Sequence, residues 1–364
     1  MPSDLTYSFP ATALSYGSSY GGGESAKGFG AFSAMQQSIA RSALSLYAAV
    51  SKLTFHELNG ASASTADLRF ARSDLPSTAW AYFPTTDVTG GDVWVNTSSS
   101  AYASPRKGNY AYFTIVHEIG HALGLEHSHE GGMPRARDSM EYTIMSYRSF
   151  AGASISGGYS NETWSFAQSL MMYDIAAIQH AYGANYETNS GDTTYTWNSA
   201  TGEMFIDGVG QGAPGGNRIL LTVWDGGGSD TYYFGSYANG LSVDLRPGAW
   251  TMTSREQRAE LSWDGSKRAV GNIANALLYQ GSTLSLIENA YGGSGSDKIS
   301  GNTADNTLRG NGGDDRLYGL GGDDILIGGI GRDVLSGGAG IDTASYSTAQ
   351  TKDRKSTRLN SSHT

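Results

Sequence analysis

The segment HEIGHALGLEH, His117 to His127, places three of the chain's 7 histidines and two glutamates, Glu118 and Glu126, in one short stretch. On a helix, His117 and His121 stand four residues apart and share a face, so their two imidazoles can hold one ion. In a continuous helix His127 would lie about 9 Å further along the axis and well off that face. Gly124 removes the conflict, because a glycine in the left-handed region ends the helix and swings the third imidazole back. Three neutral imidazoles then form the tripod of a catalytic zinc site with positions open for water. Glu118, beside the first ligand, is placed to act as general base toward a metal-activated water. The pair His56-Glu57 is an internal control: Gly60 stands where a second ligand would be needed, so the pair is expected to be inert. His129 and His180 lack ligand spacing and read as surface or packing residues.

The 364 residues suffice for about two domains, each able to bury its own core. With 24 Lys+Arg against 34 Asp+Glu, the net charge of -10 disfavours nucleic acid and anionic membrane as partners and suits divalent cations. The chain has no cysteine, which excludes disulfides and thiolate ligands. Neither a basic-then-apolar leader nor a membrane-length apolar run is present. Export routes that read other signals are not excluded by this.

Outward from the motif, Met35, Ile39, Ala43, Leu46, Tyr47 and Val50 recur at helical spacing and predict an amphipathic helix over 32–50. Short strands are predicted at 68–70, 79–83 and 93–95, with Gly90-Gly91 turning between the last two. A second helix carries the histidine motif, and a third is predicted from about Phe166 to Tyr182. This order indicates an α+β or α/β domain over roughly the first 200 residues.

From Gly292 to Ser345 the chain falls into nine-residue blocks: GGSGSDKIS, GNTADNTLR, GNGGDDRLY, GLGGDDILI, GGIGRDVLS and GGAGIDTAS. Glycine or a small residue dominates the first four places, Asp or Asn the sixth, and Ile or Leu most often the eighth. The period never slips, which separates these blocks from a glycine-rich linker. Glycines permit a tight turn whose carbonyls point inward, Asp adds a carboxylate, and x-U-x is a short strand with its aliphatic residue in the core. Two blocks then make one coil of a parallel β-roll, with calcium between stacked turns. Without calcium the aligned Asp315, Asp324, Asp333 and Asp342 would repel one another, so the fold should depend on the metal. The second block, with Ala304 and Asn306, departs most from the pattern.

Downstream of the histidines, Glu141 to Tyr147 reads EYTIMSY. The extended motif followed by this Met-containing turn resembles the metzincin metallopeptidases, and its union with nonapeptide repeats in one cysteine-free chain resembles the serralysins. LTYSFP, STAWAY, GGDVW, MEYTIMSY and VWDGGGSDTY extend that resemblance over nearly the whole chain. It implies an α+β metzincin domain, a mixed twisted sheet with long helices, over 1–216, followed by an all-β parallel β-roll over 217–350. It further implies a secreted bacterial zinc metalloendopeptidase that cleaves internal bonds of extended protein substrates. Met145 is then the apolar floor beneath His117, His121 and His127, and Tyr147 an oxyanion stabiliser that also reaches the zinc. Ala79, Trp80, Ala81 and Tyr82 belong to the strand expected to align substrate.

For calcium, the resemblance implies that Gly293, Gly295 and Asp297 face Gly310, Gly312 and Asp315. Gly313, Gly319, Gly321, Gly322, Asp324, Gly328, Asp333, Gly337 and Asp342 continue the set. Asp225, Gly227 and Asp230 match a first calcium loop. Expected partners are protein or peptide substrates, a proteinaceous inhibitor and a type I secretion system, with a monomeric chain and neither membrane nor nucleic acid. The family's C-terminal secretion segment has no counterpart here, and little precedes the catalytic domain to serve as a propeptide. DRKSTRLNSSH resembles a translated sequencing adapter, so 351–364 is expected to be a non-native tail, adapter-derived from about 353, after a C-terminal truncation. Two other readings stand beside the enzyme. A non-catalytic binding or adhesion protein would be favoured by loss of Glu118 or a histidine, and all four are present. A truncated roll too unstable to protect an intact site is the other.

Overall fold

The computed structural model describes residues 2–17, 20–345 and the backbone of 356–358. Contacts divide the chain into two compact units, Met1–Asn185 and Tyr186–Thr364.

The first unit is a mixed sheet and three α-helices. Its strands are β1 (Asp4–Ser8), β2 (Gly30–Ala31), β3 (Thr54–Glu57), β4 (Leu68–Ser73), β5 (Ala79–Ala81) and β6 (Val93–Asn96). They run in the order β3-β1-β4-β6-β5, with β2 antiparallel to β4. All other pairings are parallel except β5 with β6, so β5 is an antiparallel edge. Helix α1 (Ala34–Val50) begins in a capping box: Ser33 Oγ accepts from Gln36 N and Gln36 Oε1 accepts from Ser33 N. It buries Ala40, Ala43, Leu44, Tyr47 and Val50. Helix α2 (Tyr110–Ala122) is capped by Asn109 and is buried from Ala111 to Ala122, which leaves its polar residues facing protein or a cleft. The third helix, α3, covers Met172–Tyr182. It starts later than its apolar pattern suggests, because the preceding residues run irregularly beside the start of α2. Phe166 N donates to Gly108 O and Tyr112 Oη to Gln168 O.

The second unit is all β. Its strands are β7 (Thr194–Trp197), β8 (Met204–Ile206), β9 (Val209–Gly210), β10 (Leu221–Val223), β11 (Thr231–Tyr233), β12 (Ser242–Asp244), β13 (Trp250–Thr251) and β14 (Ile273–Asn275). They continue with β15 (Asn289–Tyr291), β16 (Lys298–Ser300), β17 (Thr307–Gly312), β18 (Arg316–Gly321), β19 (Ile325–Ile330), β20 (Val334–Ala339), β21 (Thr343–Ser345) and β22 (Ser356–Arg358). Successive nine-residue blocks go to alternate sheets. β15, β17, β19 and β21 pair in parallel in one, and β16, β18 and β20 in the other. Ile299, Leu308, Leu317, Leu326 and Leu335 meet in one buried core between them. β10, β14 and β13 form a small separate sheet.

The division between units falls after Asn185, earlier than the expected boundary at 216. Strand β7 is the reason: it pairs in parallel with β11 and so belongs to the repeat unit's sheet. Its layer is hard to see in the sequence because the early layers are spaced 37 and 58 residues apart before the step settles at 18. Ser356–Arg358, within the segment read from sequence as a non-native tail, pairs in parallel with β20. An open sheet edge offers unpaired N–H and C=O groups to any extended segment. The rest of the expected tail lies outside the described residues.

Candidate active site

Helix α2 carries His117 and His121 one turn apart, and its end is set by Gly124 at φ +96°. Leu125 N donates to Gly120 O at 2.8 Å and Gly124 N to His121 O at 2.9 Å, the paired bonds of a Schellman turn. The turn redirects the chain so that His127 Nε2 comes within 3.0 Å of His121 Nε2. The three imidazoles form one group able to hold a metal ion.

Each ring is oriented through its other nitrogen. His117 Nδ1 lies 2.7 Å from Ile144 O, His121 Nδ1 2.7 Å from Leu125 O, and His127 Nδ1 2.9 Å from a Glu130 carboxylate oxygen. An acceptor at every Nδ1 places the proton there and leaves each Nε2 lone pair for a metal. The contact between His121 and His127 is then two lone pairs face to face. A shared cation satisfies both: two ligands at 2.0–2.1 Å in tetrahedral array stand roughly 3.3 Å apart. Burial, reinforced by the neighbouring rings, lowers His117 to about 3 and His121 to about 4, so both are neutral at pH 7. The donor set therefore fits zinc.

Glu118 is 6% exposed and shares a cleft of about 470 Å³ with His117, Tyr147, Thr78 and Ala79. Burial alone pushes its carboxyl up to about 8. A cation beside it would draw it back toward the carboxylate. Tyr147 stacks on His117 with centroids 5.8 Å apart and lies 4.2 Å from the His127 ring. Burial, then the Glu118 charge, raises its phenol to about 12, so it is a hydrogen-bond donor at neutral pH. Met145 is buried under α2, its Sδ 2.7 Å from where a Cβ on Gly120 would stand.

Residues 31–143 match the family model described as matrixin, and 184–360 the one described as peptidase M10 serralysin C terminal. Over 318 residues the chain is 34% identical to Metallopeptidase AprA of Pseudomonas marginalis, covering 83% of this chain and 60% of that protein. The chain belongs to the serralysin-type metzincins. Serralysin A of Dickeya chrysanthemi is 36% identical over 286 residues, 75% of this chain and 54% of that protein. Serralysin of Proteus mirabilis is 33% identical over 331 residues, 84% and 60% respectively. The chain thus spans about 60% or less of the length of these relatives.

Several supports of this metzincin site carry no local sequence signal. Asp174 on α3 accepts from Thr143 Oγ1 at 2.5 Å and Ile144 N at 2.8 Å, and so holds the turn whose Ile144 carbonyl orients His117. Asp138, 4% exposed, accepts from Ser128 Oγ and Ser146 Oγ at 2.6 Å each and from Arg148 Nε at 2.8 Å. It ties the residue after His127 to the residues flanking Tyr147. His129, read from sequence as a bystander, stacks on His127 at 5.4 Å, and with His127 and Glu130 forms a second potential metal group. Phe83 lies edge-on to His121 at 5.4 Å.

Of the four residues expected to contact substrate, Ala79 lines the cleft. Trp80 and Tyr82 instead pack against the cluster of Tyr16, Tyr20 and Trp94, and Tyr82 Oη donates to Glu24. Strand alternation sends Trp80 and Tyr82 to the face opposite Ala79 and Ala81, which leaves the β5 backbone as the element able to align a peptide. His56 pairs with exposed Asp4, and Glu57 with Arg41. His180 sits on α3, outside the metal groups found among the described residues.

In the repeat unit, Asp225 and Asp230 come together with Glu288, whose Oε2 accepts from Asp230 N at 2.8 Å. Glu288 was not anticipated, being 58 residues away from Asp230 in sequence. Asp230, Asp315, Asp324 and Asp342 each bury one carboxylate oxygen with no hydrogen-bond partner. Burial first, and neighbouring acidic groups after it, push Asp230 and Asp315 to about 8 and Asp324 to about 7. Gly313 and Gly322, at φ +102° and +105°, abut the backbone of the layer before, where no Cβ fits. Buried unpartnered carboxylate oxygens among close backbone turns are the donor chemistry of a hard divalent cation.

Proposed function

We propose that the chain is a secreted zinc-dependent endopeptidase whose second unit is a calcium-stabilised parallel β-roll. The observation that carries the proposal is the tripod: three imidazoles fixed through Nδ1, with Nε2 atoms converging beside a buried glutamate. His117, His121 and His127 would hold the zinc. When bound, it polarises the scissile carbonyl and acidifies water. Glu118 takes a proton from the attacking water as its oxygen bonds to the carbonyl carbon. It passes that proton to the leaving nitrogen as the C–N bond breaks. The Tyr147 hydroxyl donates to the oxyanion, and the β5 edge pairs with an extended substrate, which suits internal bonds of unfolded protein segments. The names of the relatives, a metallopeptidase and two serralysins, support the same activity.

For the roll, the alternation of nine-residue blocks between two parallel sheets and the unpartnered aspartate oxygens support calcium at the turns. No described helix is long and apolar enough to cross a membrane. Export through a type I system, a monomeric state and a proteinaceous inhibitor remain part of the proposal through family membership. Casein or fluorogenic-peptide hydrolysis by the purified chain with zinc and calcium, beside Glu118→Ala, tests the enzyme reading. Activity lost in the variant with zinc still bound by mass spectrometry supports it. Equal activity in both, or none in either with zinc bound, contradicts it.

A further inference from the structure

One layer of the repeat unit is closed differently from the layers of Asp315 and Asp324. At Asp315 and Asp324 one carboxylate oxygen accepts an N–H from the layer before, from Asp297 and Asn306 at 2.8 Å each, while the other oxygen is buried without a partner. Position 306, equivalent in the repeat, is an asparagine, and its amide is fully engaged. Asn306 Nδ2 donates to Glu288 O at 2.8 Å and to Asn302 Oδ1 at 3.1 Å, while Oδ1 accepts from Asn302 N at 2.7 Å. Asn302 Nδ2 donates to Ile287 O at 2.8 Å and Leu245 O at 3.3 Å, and its Oδ1 accepts from Ala304 N at 2.9 Å. Both asparagines are 1% exposed.

The carbonyls of Leu245, Ile287 and Glu288 thus converge on this layer, and each receives an amide N–H. A calcium ion satisfies inward-pointing carbonyls in the same way, but needs carboxylates to balance its charge and space free of N–H donors. Here the donors fill the space and position 306 brings no negative charge. We infer that the Asn302–Asn306 layer is locked by its own amides and takes no cation, giving the roll a calcium-independent layer beside the calcium-dependent layers of Asp315 and Asp324. This rests on the reading of calcium as the ligand of the other layers.

Hydrogen exchange of the full chain, with self-digestion blocked by Glu118→Ala, tests the inference with calcium present and with calcium withheld. Without calcium, amides of Asp315 and Asp324 should exchange at least about 100-fold faster, while those of Asn302 and Ala304 change by less than about 3-fold. Equal acceleration in both sets would overturn the lock while leaving the calcium reading intact. No change in either set would overturn both. A second measurement is thermal unfolding of Asn302→Ala, whose loss of stability should be the same with and without calcium. Recovery of wild-type stability on adding calcium would show that the layer holds a cation, and the inference would fail.

Discussion

The two units hold their candidate metal-binding groups in opposite ways. In the first, every imidazole is tied by a protein acceptor at Nδ1, and the turn beneath them is pinned by Asp174. In the second, Asp315 and Asp324 bury carboxylate oxygens that no protein group satisfies. A site built the first way exists before its ion arrives. A site built the second way is a liability until it does, because an unpaired buried carboxylate must either take up a proton or destabilise the fold. The zinc centre is therefore expected to be a feature added to a stable unit, and calcium a condition for the stability of the other.

The largest effect that would break this contrast comes from withholding calcium across a pH range. Asp230 and Asp315 near 8 and Asp324 near 7 are raised far above the unfolded carboxylate value of about 3.9. The calcium-free folded unit thus binds more protons than its unfolded chain. Its stability from these groups is present at about pH 4 and is lost as pH rises through 7 to 8. Melting at pH 5 and pH 8 should show the calcium-free repeat unit less stable at pH 8, with calcium erasing or reversing the difference. A calcium-free unit that gains stability toward pH 8 would break the comparison.

Within the zinc unit, Asp138→Ala should lower zinc affinity or peptide turnover about 10–100-fold, as removal of a group that orients a metal site does. Chelator competition and steady-state kinetics would separate the two. Gly120→Ala should cost about 1–3 kcal/mol in denaturant unfolding, since its Cβ would meet Met145 Sδ at 2.7 Å and Tyr47 Oη at 2.9 Å. The smallest expected effect lies in the repeats. Leu320 has φ +79° where Gly329 and Gly338 occupy the matching place in later blocks. Leu320→Gly should stabilise the calcium-loaded unit by about 1 kcal/mol, read from its melting temperature.

What could be read from sequence and what could not divides along the same line as the physics. His117, His121, Gly124 and His127 are legible because helix periodicity and one glycine are local properties. The blocks after Gly292 are legible because an 18-residue coil repeats without slippage. Asp138, Asp174 and Glu288 are not, because each acts on partners at least eight residues away through contacts that only the fold creates. The early start of the repeat unit was hidden for a related reason: β7 and β11 occupy successive layers, but the loops between them have unequal lengths. Asn306 is visible as a departure from the pattern, yet the lock also needs the Leu245 carbonyl, which Asn302 Nδ2 reaches across 57 residues.

Anomalous diffraction from crystals grown with zinc and calcium tests the central contrast most directly. One zinc peak is expected at about 2.0–2.1 Å from Nε2 of His117, His121 and His127, with separate calcium peaks beside Asp315 and Asp324. Zinc on the His127, His129 and Glu130 group instead, or no peak between the stacked aspartates, would contradict it.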